Sequence, residues 1–174
     1  MQAPTLRSSP ESPVTKLLFV CLGNICRSPS AENIMVHLLK QRRLSDQVQC
    51  DSAGTSSYHI GSPPDRRMTA AAQQQGITLT GQARQFQSED FERFDWILAM
   101  DDQNYRDILR VDPTGQHHHK VRKICDFCRH HSDQGVPDPY YGGQDGFRDV
   151  IDLLFDACEG LLVFLQQEGS ISQG

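Results

Sequence analysis

The stretch that decides the fold is Val20-Cys21-Leu22-Gly23-Asn24-Ile25-Cys26-Arg27-Ser28-Pro29. The apolar run at residues 17–20, which leads into it, is typical of a buried strand. Ser28 favours the N-cap of a helix and Pro29 favours its first position, so a helix is predicted to follow. A cysteine is thus predicted where a strand ends, and an arginine where a helix begins.

The loop between Cys21 and Arg27 has the composition of an anion-binding turn. Gly23 and Asn24 are residue types that tolerate positive φ. In such a loop, successive backbone N–H groups can point inward beside the positive end of the helix dipole. A helix N-terminus and a nearby cation favour the thiolate form of a cysteine, which predicts Cys21 as a nucleophile. The planar guanidinium of Arg27 matches two oxygens of a tetrahedral oxyanion.

A Cys-x5-Arg spacing is weak evidence by itself. The alternative is an ordinary strand-to-helix turn with a buried cysteine and a surface arginine. Placed between a strand and a capped helix, the spacing favours phosphate chemistry, because phosphoryl transfer needs a nucleophile and fixed donors around the transferred oxygens.

The segment at residues 21–29 resembles the signature loop of the low-molecular-weight protein tyrosine phosphatases. The likeness covers the chain from about Lys16 to the final helix. It extends to Asp51-Ser52-Ala53-Gly54-Thr55, Gly61-Ser62-Pro63-Pro64-Asp65, Ala83-Arg84-Gln85 and Asp138-Pro139-Tyr140-Tyr141-Gly142.

The resemblance implies a hydrolase that removes phosphate from phosphotyrosine-containing proteins, and from aryl phosphates, through a phosphocysteine intermediate. Cys21 is then the nucleophile, Arg27 binds the phosphate, and Asp138 is the general acid. Taken alone, Asp138 between two prolines favours an ordinary turn; the resemblance reverses that interpretation. Inorganic phosphate is the expected product. No metal and no cofactor are expected, since Arg27 and the loop N–H groups supply the positive charge.

Further site residues follow from the same resemblance. Tyr140 and Tyr141 are expected to flank the pocket mouth, and Tyr58 and Tyr140 to bind substrate. The family's specificity loop often pairs an aromatic with an acidic residue, where this chain has Tyr58-His59. Ser52 is expected to join Asn24 and Ser28 in hydrogen bonds to the loop and to the Cys21 sulfur. The loop residues expected to bind phosphate are Leu22, Gly23, Asn24, Ile25, Cys26 and Ser28.

The loop network carries two further expectations. The family often has a histidine ahead of Ala83-Arg84-Gln85, where this chain has Gly81, so another group must close the network. Cys26 is expected to form a reversible disulfide with oxidised Cys21, as the resemblance implies. The alternative is that Cys26 fills a small apolar gap under the loop.

Composition limits the class of protein. A chain of 174 residues suits one domain, and its formal net charge of −5 gives no general attraction to nucleic acid or to an anionic membrane. No apolar stretch approaches the roughly 18 residues of a membrane span, and the N-terminus lacks a secretory pattern. Six cysteines at irregular spacing then indicate reduced thiols and a cytoplasmic location.

Alternating strands and helices predict an α/β fold with a parallel sheet. The resemblance implies four strands of flavodoxin-like order 2-1-3-4 with helices on both faces. Residues 1–15 are predicted to be a disordered tail and residues 16–170 a single phosphatase domain. Strands are predicted at 17–20, 48–53, 96–100 and 121–124, and helices at 29–43, 65–75, from 88, from 101 and at 147–165.

Several alternatives remain open. Cys125 and Cys128, with histidines nearby, could form a zinc or redox site, although one Cys-x2-Cys pair is a weak signal. Arsenate reductases of the same fold need further cysteines, which residues 76–124 do not contain. Arginine phosphatases tend to carry threonine at the position of Ile25. A non-catalytic phosphate-binding module would need neither Cys21 nor Asp138.

Overall fold

A computed structural model describes residues 13–141 and 143–173. Most of the predicted tail, residues 1–12, lies outside this range, as does Gly142 of the motif at 138–142. The disorder of the tail therefore stays a prediction. The first strand begins at Thr15.

The described part of the chain forms one sheet of four strands. The strands stand side by side in the order β2-β1-β3-β4, and every neighbouring pair is parallel. The predicted α/β class and the strand order 2-1-3-4 are confirmed. The strands are β1 (Thr15–Cys21), β2 (Val48–Gly54), β3 (Trp96–Ala99) and β4 (Val121–Lys123).

Helices cover both faces of this sheet, as predicted. Within β1, Leu17 and Phe19 pack into a hydrophobic cluster with residues of the first, second and last helices. Leu18 and Val20 pack into a second cluster with residues of the third and fourth. Successive strand residues point to opposite faces, which explains the continuous apolar run. The helices are α1 (Arg27–Gln41), α2 (Arg66–Gln74), α3 (Asp90–Arg93), α4 (Asp102–Val111) and α5 (Gln144–Glu168).

Helix α1 begins two residues earlier than predicted. Its N-cap is Cys26 and its first residue is Arg27, so the prediction that Ser28 is the N-cap was wrong. The Ser28 hydroxyl lies 3.0 Å from the Sγ atom of Cys21, inside the loop, instead of capping a backbone N–H group. The helix ends at Gln41, and Arg43 has a positive φ of 56°.

Sheet order places the loop after β1 at a topological switch point. The chain runs from β1 to β2 on one side and later returns to β3 on the other side of β1. In such sheets ligands bind beyond the carboxyl ends of the strands, where the strand order reverses. Gly54, at the end of β2, lets the loop approach closely. A Cβ atom built there would lie 2.7 Å from the carbonyl oxygen of Leu22 and 3.2 Å from the backbone nitrogen of Asn24.

Candidate active site

The Cys21 sulfur is buried at the end of β1 and is held by two groups of its own loop. The backbone N–H of Asn24 donates to Sγ at 3.2 Å, and the Oγ atom of Ser28 lies 3.0 Å away. Asn24 adopts a φ of 57°, a left-handed conformation that asparagine tolerates. This turn aims its N–H group back at the sulfur.

Asn24 also fixes the other side of the loop. Its side-chain amide donates to the Oγ atom of Ser28 at 2.8 Å, and its Oδ1 atom accepts the backbone N–H of Arg84 at 3.0 Å. A serine hydroxyl carries one proton, so Ser28 can receive from Asn24 and still donate to Cys21. The backbone of Arg84 therefore makes the closing contact in a chain that has Gly81 in place of the family's histidine.

Ser52 makes no hydrogen bond to this loop in the described structure. Its hydroxyl donates to the Oε2 atom of Glu32 at 2.6 Å, so the prediction that it bonds the loop or the Cys21 sulfur was wrong. The register explains why: Ser52 pairs with Phe19, two residues before the end of β1. Burial raises the pKa of Glu32 to about 7, although the hydrogen bond from Ser52 opposes that rise.

Arg27 is 3% exposed and lines the same cleft as Cys21. Its Nη1 atom donates to Asp101 at 2.6 Å and to the carbonyl oxygen of Val136 at 3.0 Å. Burial alone would lower the pKa of the guanidinium, but the charges of Cys21 and Asp101 outweigh it, and the pKa lies above its ordinary value. Arg27 is therefore a fixed cation.

The sequence analysis did not identify Asp101. A signal existed, since Asp101 follows the strand that pairs with β1, and the carboxyl ends of parallel neighbours meet at one edge of the sheet. Asp101 also caps α4 by accepting the backbone N–H of Asn104 at 2.7 Å. One carboxylate therefore orients Arg27 and starts a helix.

Asp138 reaches the same space from a distant loop. Its Oδ2 atom lies 3.6 Å from the Nη2 atom of Arg27, and its Oδ1 atom accepts the backbone N–H of Tyr140 at 3.0 Å. Proline on both sides restricts its backbone. The carboxyl group is partly exposed, so solvent can exchange protons with it.

A cleft of about 140 Å³ joins these groups. Tyr58 and Tyr140 lie at its mouth, with exposed fractions of 79% and 39%. Of the two residues predicted at the mouth, Tyr140 is therefore in place, and the side chain of Tyr141 lies outside the described part of the structure. The ring centroid of His59 lies 6.3 Å from that of Tyr140. The cleft is lined by Cys21, Leu22, Gly23, Ile25, Cys26, Arg27, Tyr58, His59, Asp138 and Tyr140.

The comparison with protein families decides how this geometry is classified. Residues 16–171 match the family described as low molecular weight phosphotyrosine protein phosphatase. The chain belongs to this family. It shares 61% identity over 153 residues with a putative low molecular weight protein-tyrosine-phosphatase from Synechocystis, covering 88% of this chain and 98% of that one. The human low molecular weight phosphotyrosine protein phosphatase is 37% identical over 152 residues, which are 87% and 96% of the two chains.

Solved structures of the family superpose on the whole fold. A protein tyrosine phosphatase from Entamoeba histolytica with Hepes in its active site gives a TM-score of 0.86 at 46% identity, covering 89% of this chain and 99% of that one. A Drosophila arginine phosphatase gives a TM-score of 0.81 at 32% identity, covering 87% and 98%. Fold alone therefore does not separate a tyrosine from an arginine phosphatase.

Cys125 and Cys128, the pair considered for a zinc or redox site, do not line the cleft. Burial raises the pKa of Cys125 to about 11 and that of Cys128 to about 12. Across residues 13–141 and 143–173, no cluster of three or more histidine, cysteine, aspartate or glutamate side chains is placed to hold a metal ion. No helix in the same residues is long and apolar enough to cross a membrane.

Proposed function

We propose that this chain hydrolyses phosphotyrosine in proteins, and simpler aryl phosphates, through a phosphocysteine intermediate. The observation that carries the proposal is the convergence of three groups on one cleft. They are a hydrogen-bonded sulfur at a strand end, the buried cation Arg27, and the carboxyl group of Asp138. Family membership supports the same assignment.

In the first step the Cys21 thiolate attacks phosphorus in line. The S–P bond forms while the bond from phosphorus to the phenolic oxygen breaks, and Asp138 donates its proton to that leaving oxygen. The N–H of Asn24 and the hydroxyl of Ser28 stabilise the charge on sulfur beforehand.

Arg27 holds the transferred oxygens during this step. Its Nη1 atom is committed to Asp101 and Val136, so the edge formed by Nε and Nη2 is the one that can bind two phosphate oxygens. The backbone N–H groups of residues 22–28 bind the remaining negative charge. This set of donors does the work that metal ions do in other phosphoryl-transfer enzymes, so the scheme uses no cofactor.

In the second step Asp138, now a carboxylate, takes a proton from water. The resulting hydroxide attacks phosphorus, the S–P bond breaks, and inorganic phosphate leaves while the thiolate is restored. Each proton given to the leaving group is thus recovered from the attacking water, and atoms and charge balance over the cycle.

Hydrolysis of para-nitrophenyl phosphate and of a phosphotyrosine peptide, in the presence of a metal chelator, tests the reaction. We expect both to be hydrolysed. A phosphoarginine peptide of matched sequence tests the alternative suggested by the Drosophila relative, and Ile25 favours the tyrosine peptide. Faster hydrolysis of the phosphoarginine peptide would replace the proposal, and arsenate reduction without phosphatase activity would reject it.

We also propose that Cys26 protects Cys21 from irreversible oxidation. Cys26 is 5% exposed and lines the same cleft as Cys21. Burial raises the pKa of its thiol to about 12, so Cys26 is not itself the first thiol to be oxidised. Peroxide converts Cys21 to a sulfenic acid, which condenses with the Cys26 thiol to give a disulfide and water. A reducing cytoplasm, the location we propose for the protein, would then restore both thiols.

Peroxide treatment followed by a thiol reductant tests this protection. Wild-type activity should recover largely, whereas the Cys26→Ala variant should recover much less. Equal recovery, or peptide mapping that finds no bridge between the two cysteines, would leave Cys26 as a residue that only fills space under the loop.

A further inference from the structure

A second groove lies beside the catalytic cleft, between helix α2 and the first turns of helix α5. Its volume is about 500 Å³. Three arginines and one aspartate are among the described residues that line it, so the groove is basic although the whole chain carries a net charge of −5. The lining residues are Arg66, Arg67, Ala70, Ala71, Gln74, Gln144, Asp145, Phe147 and Arg148.

Arg67 joins this groove to the catalytic cleft. Its guanidinium carbon lies 5.2 Å from the ring centroid of Tyr140, which lines the cleft, and 4.7 Å from that of Phe147, which lines the groove. Its Nη2 atom lies 3.2 Å from Asp65, the N-cap of α2. These contacts hold Arg67 at the boundary, and the groove opens at the mouth of the cleft.

The positive charges of the other two arginines in the groove are available to bind an anionic ligand. Arg66 is exposed and has no ion-pair partner within the part of the chain that is described. Arg148 lies 3.4 Å from Asp145, whose side chain is 88% exposed, so solvent screens this pair. Helix α5 starts after Gly143, which has no side chain to cap it, and the positive end of its dipole adds to the field.

We propose that this basic groove binds acidic residues that flank the phosphotyrosine of a protein substrate. The inference rests on the proposed function, because the phosphotyrosine must occupy the cleft for its neighbours to reach the groove. An extended peptide advances about 3.3 Å per residue, so residues a few positions from the phosphotyrosine come within reach of Arg66 and Arg148. The preferred substrates are therefore phosphotyrosine segments rich in aspartate or glutamate.

Steady-state kinetics on matched peptides test this proposal. One phosphotyrosine peptide carries glutamates at the flanking positions and the other carries glutamines, and para-nitrophenyl phosphate reports on the cleft alone. At about 50 mM salt we expect the acidic peptide to have a kcat/KM about four-fold higher, through KM, since two exposed charge pairs contribute about two-fold each. The preference should shrink at about 500 mM salt.

Variants then locate the preference. The double variant Arg66→Gln, Arg148→Gln should lose it, and Arg66→Glu, Arg148→Glu should reverse it, while para-nitrophenyl phosphate turnover stays within two-fold of wild type. Arg93→Gln is the matched control, because Arg93 is exposed, lies before the amino end of β3 at the opposite edge of the sheet, and makes no ion pair to any described residue. This control should keep the preference.

The outcomes separate the groove from the reaction. Equal kcat/KM for the two peptides would overturn the proposal that the groove binds acidic residues, and so would a preference for the acidic peptide that survives in the double glutamate variant. Either result would leave the proposed phosphatase activity in place. If neither the peptides nor para-nitrophenyl phosphate were hydrolysed, the proposed function would fail and the groove proposal would fail with it.

Discussion

The floor and the rim of the catalytic cleft are built in opposite ways. The floor is nearly inaccessible to water, and each of its polar groups is held by another part of the loop or by a neighbouring strand end. In the rim, Tyr58 and Tyr140 are exposed and His59 is half-buried, and these residues come from separate loops. Under the proposed function, the floor carries out the reaction and the rim selects the substrate. The floor comprises Cys21, Asn24, Arg27 and Ser28; the rim comprises Tyr58, His59 and Tyr140.

The largest expected effect is the loss of the nucleophile from the floor. Cys21→Ser should lower kcat below about 1% of wild type, since a serine hydroxyl in this loop has no adjacent base to activate it. Binding of inorganic phosphate should survive in part, because Arg27 and the loop N–H groups remain. Turnover above a few per cent of wild type would reject Cys21 as the nucleophile.

The second-largest effect is expected when the geometry of the cation at Arg27 is changed. Arg27→Lys should lower kcat/KM about 100-fold or more, nearly as much as Arg27→Ala, because lysine keeps the charge but lacks the planar fork. Both variants should be measured with the same aryl phosphate. A lysine variant close to wild type would show that charge alone is enough and that the fixed geometry of the floor is not required.

The third prediction concerns Glu32, which lies outside the floor and hydrogen-bonds Ser52 of β2. The pKa of Glu32 is raised by burial from 4.5 to about 7 in the folded state. A group with a raised folded pKa contributes stability that is fully present below the unfolded value and is lost as the pH rises through the folded value. Glu32→Gln imitates the protonated acid, so it should be more stable than wild type at pH 8 by about 3 kcal/mol.

Urea unfolding at pH 8 and at pH 4.5 checks this sign. The two proteins should have similar free energies of unfolding at pH 4.5 and should diverge as the pH rises. A variant that is less stable than wild type at both pH values would show that Glu32 is a structural anion, and that its contact with Ser52 needs the charge.

A smaller effect is expected from the group that orients the cation. Asp101→Asn should lower kcat/KM about ten-fold, because the amide keeps the size and the helix cap but loses the charged partner of Arg27. The loss should appear mainly in kcat, since a displaced guanidinium fits the transition state worse than the ground state. If kcat is unchanged, Val136 alone suffices to position Arg27.

The smallest effect belongs to the rim. Tyr58→Ala should raise KM for a phosphotyrosine peptide about three-fold with little change in kcat, because an exposed ring adds stacking to the substrate and no chemistry. Tyr58→Phe, which keeps the ring, is the control and should behave as wild type. A large loss of kcat in the alanine variant would show that the rim takes part in the chemical step.

The same division explains how far the sequence could predict this molecule. The floor is local: residues 21–28 form their own loop, so strand, turn and helix signals were enough to place Cys21 and Arg27. Asp101 was missed because its contact with Arg27 depends on the pairing of β3 with β1, which no local pattern records. Ser52 was misplaced because the register sets it two residues short of the loop.

The rim and the basic groove were harder to predict. Tyr58 and Asp138 were placed only through the family resemblance, since loops far apart in sequence meet there. The groove between α2 and α5 arises from the packing of two helices, and the periodicity of each helix reveals its buried face but not the neighbour of its polar face. Helix boundaries were correct to within about three residues, including α1, which begins two residues early because Ser28 turns inward.

Gly54 has a consequence for how the enzyme tolerates change. At that position the loop backbone rests on the backbone of β2, with no room for a single added carbon atom. A side chain can switch rotamer when its neighbours are altered, whereas a contact between two main chains has no such freedom. The spacing between the loop and β2 is thus fixed at this point by main-chain atoms, and no change of rotamer can adjust it.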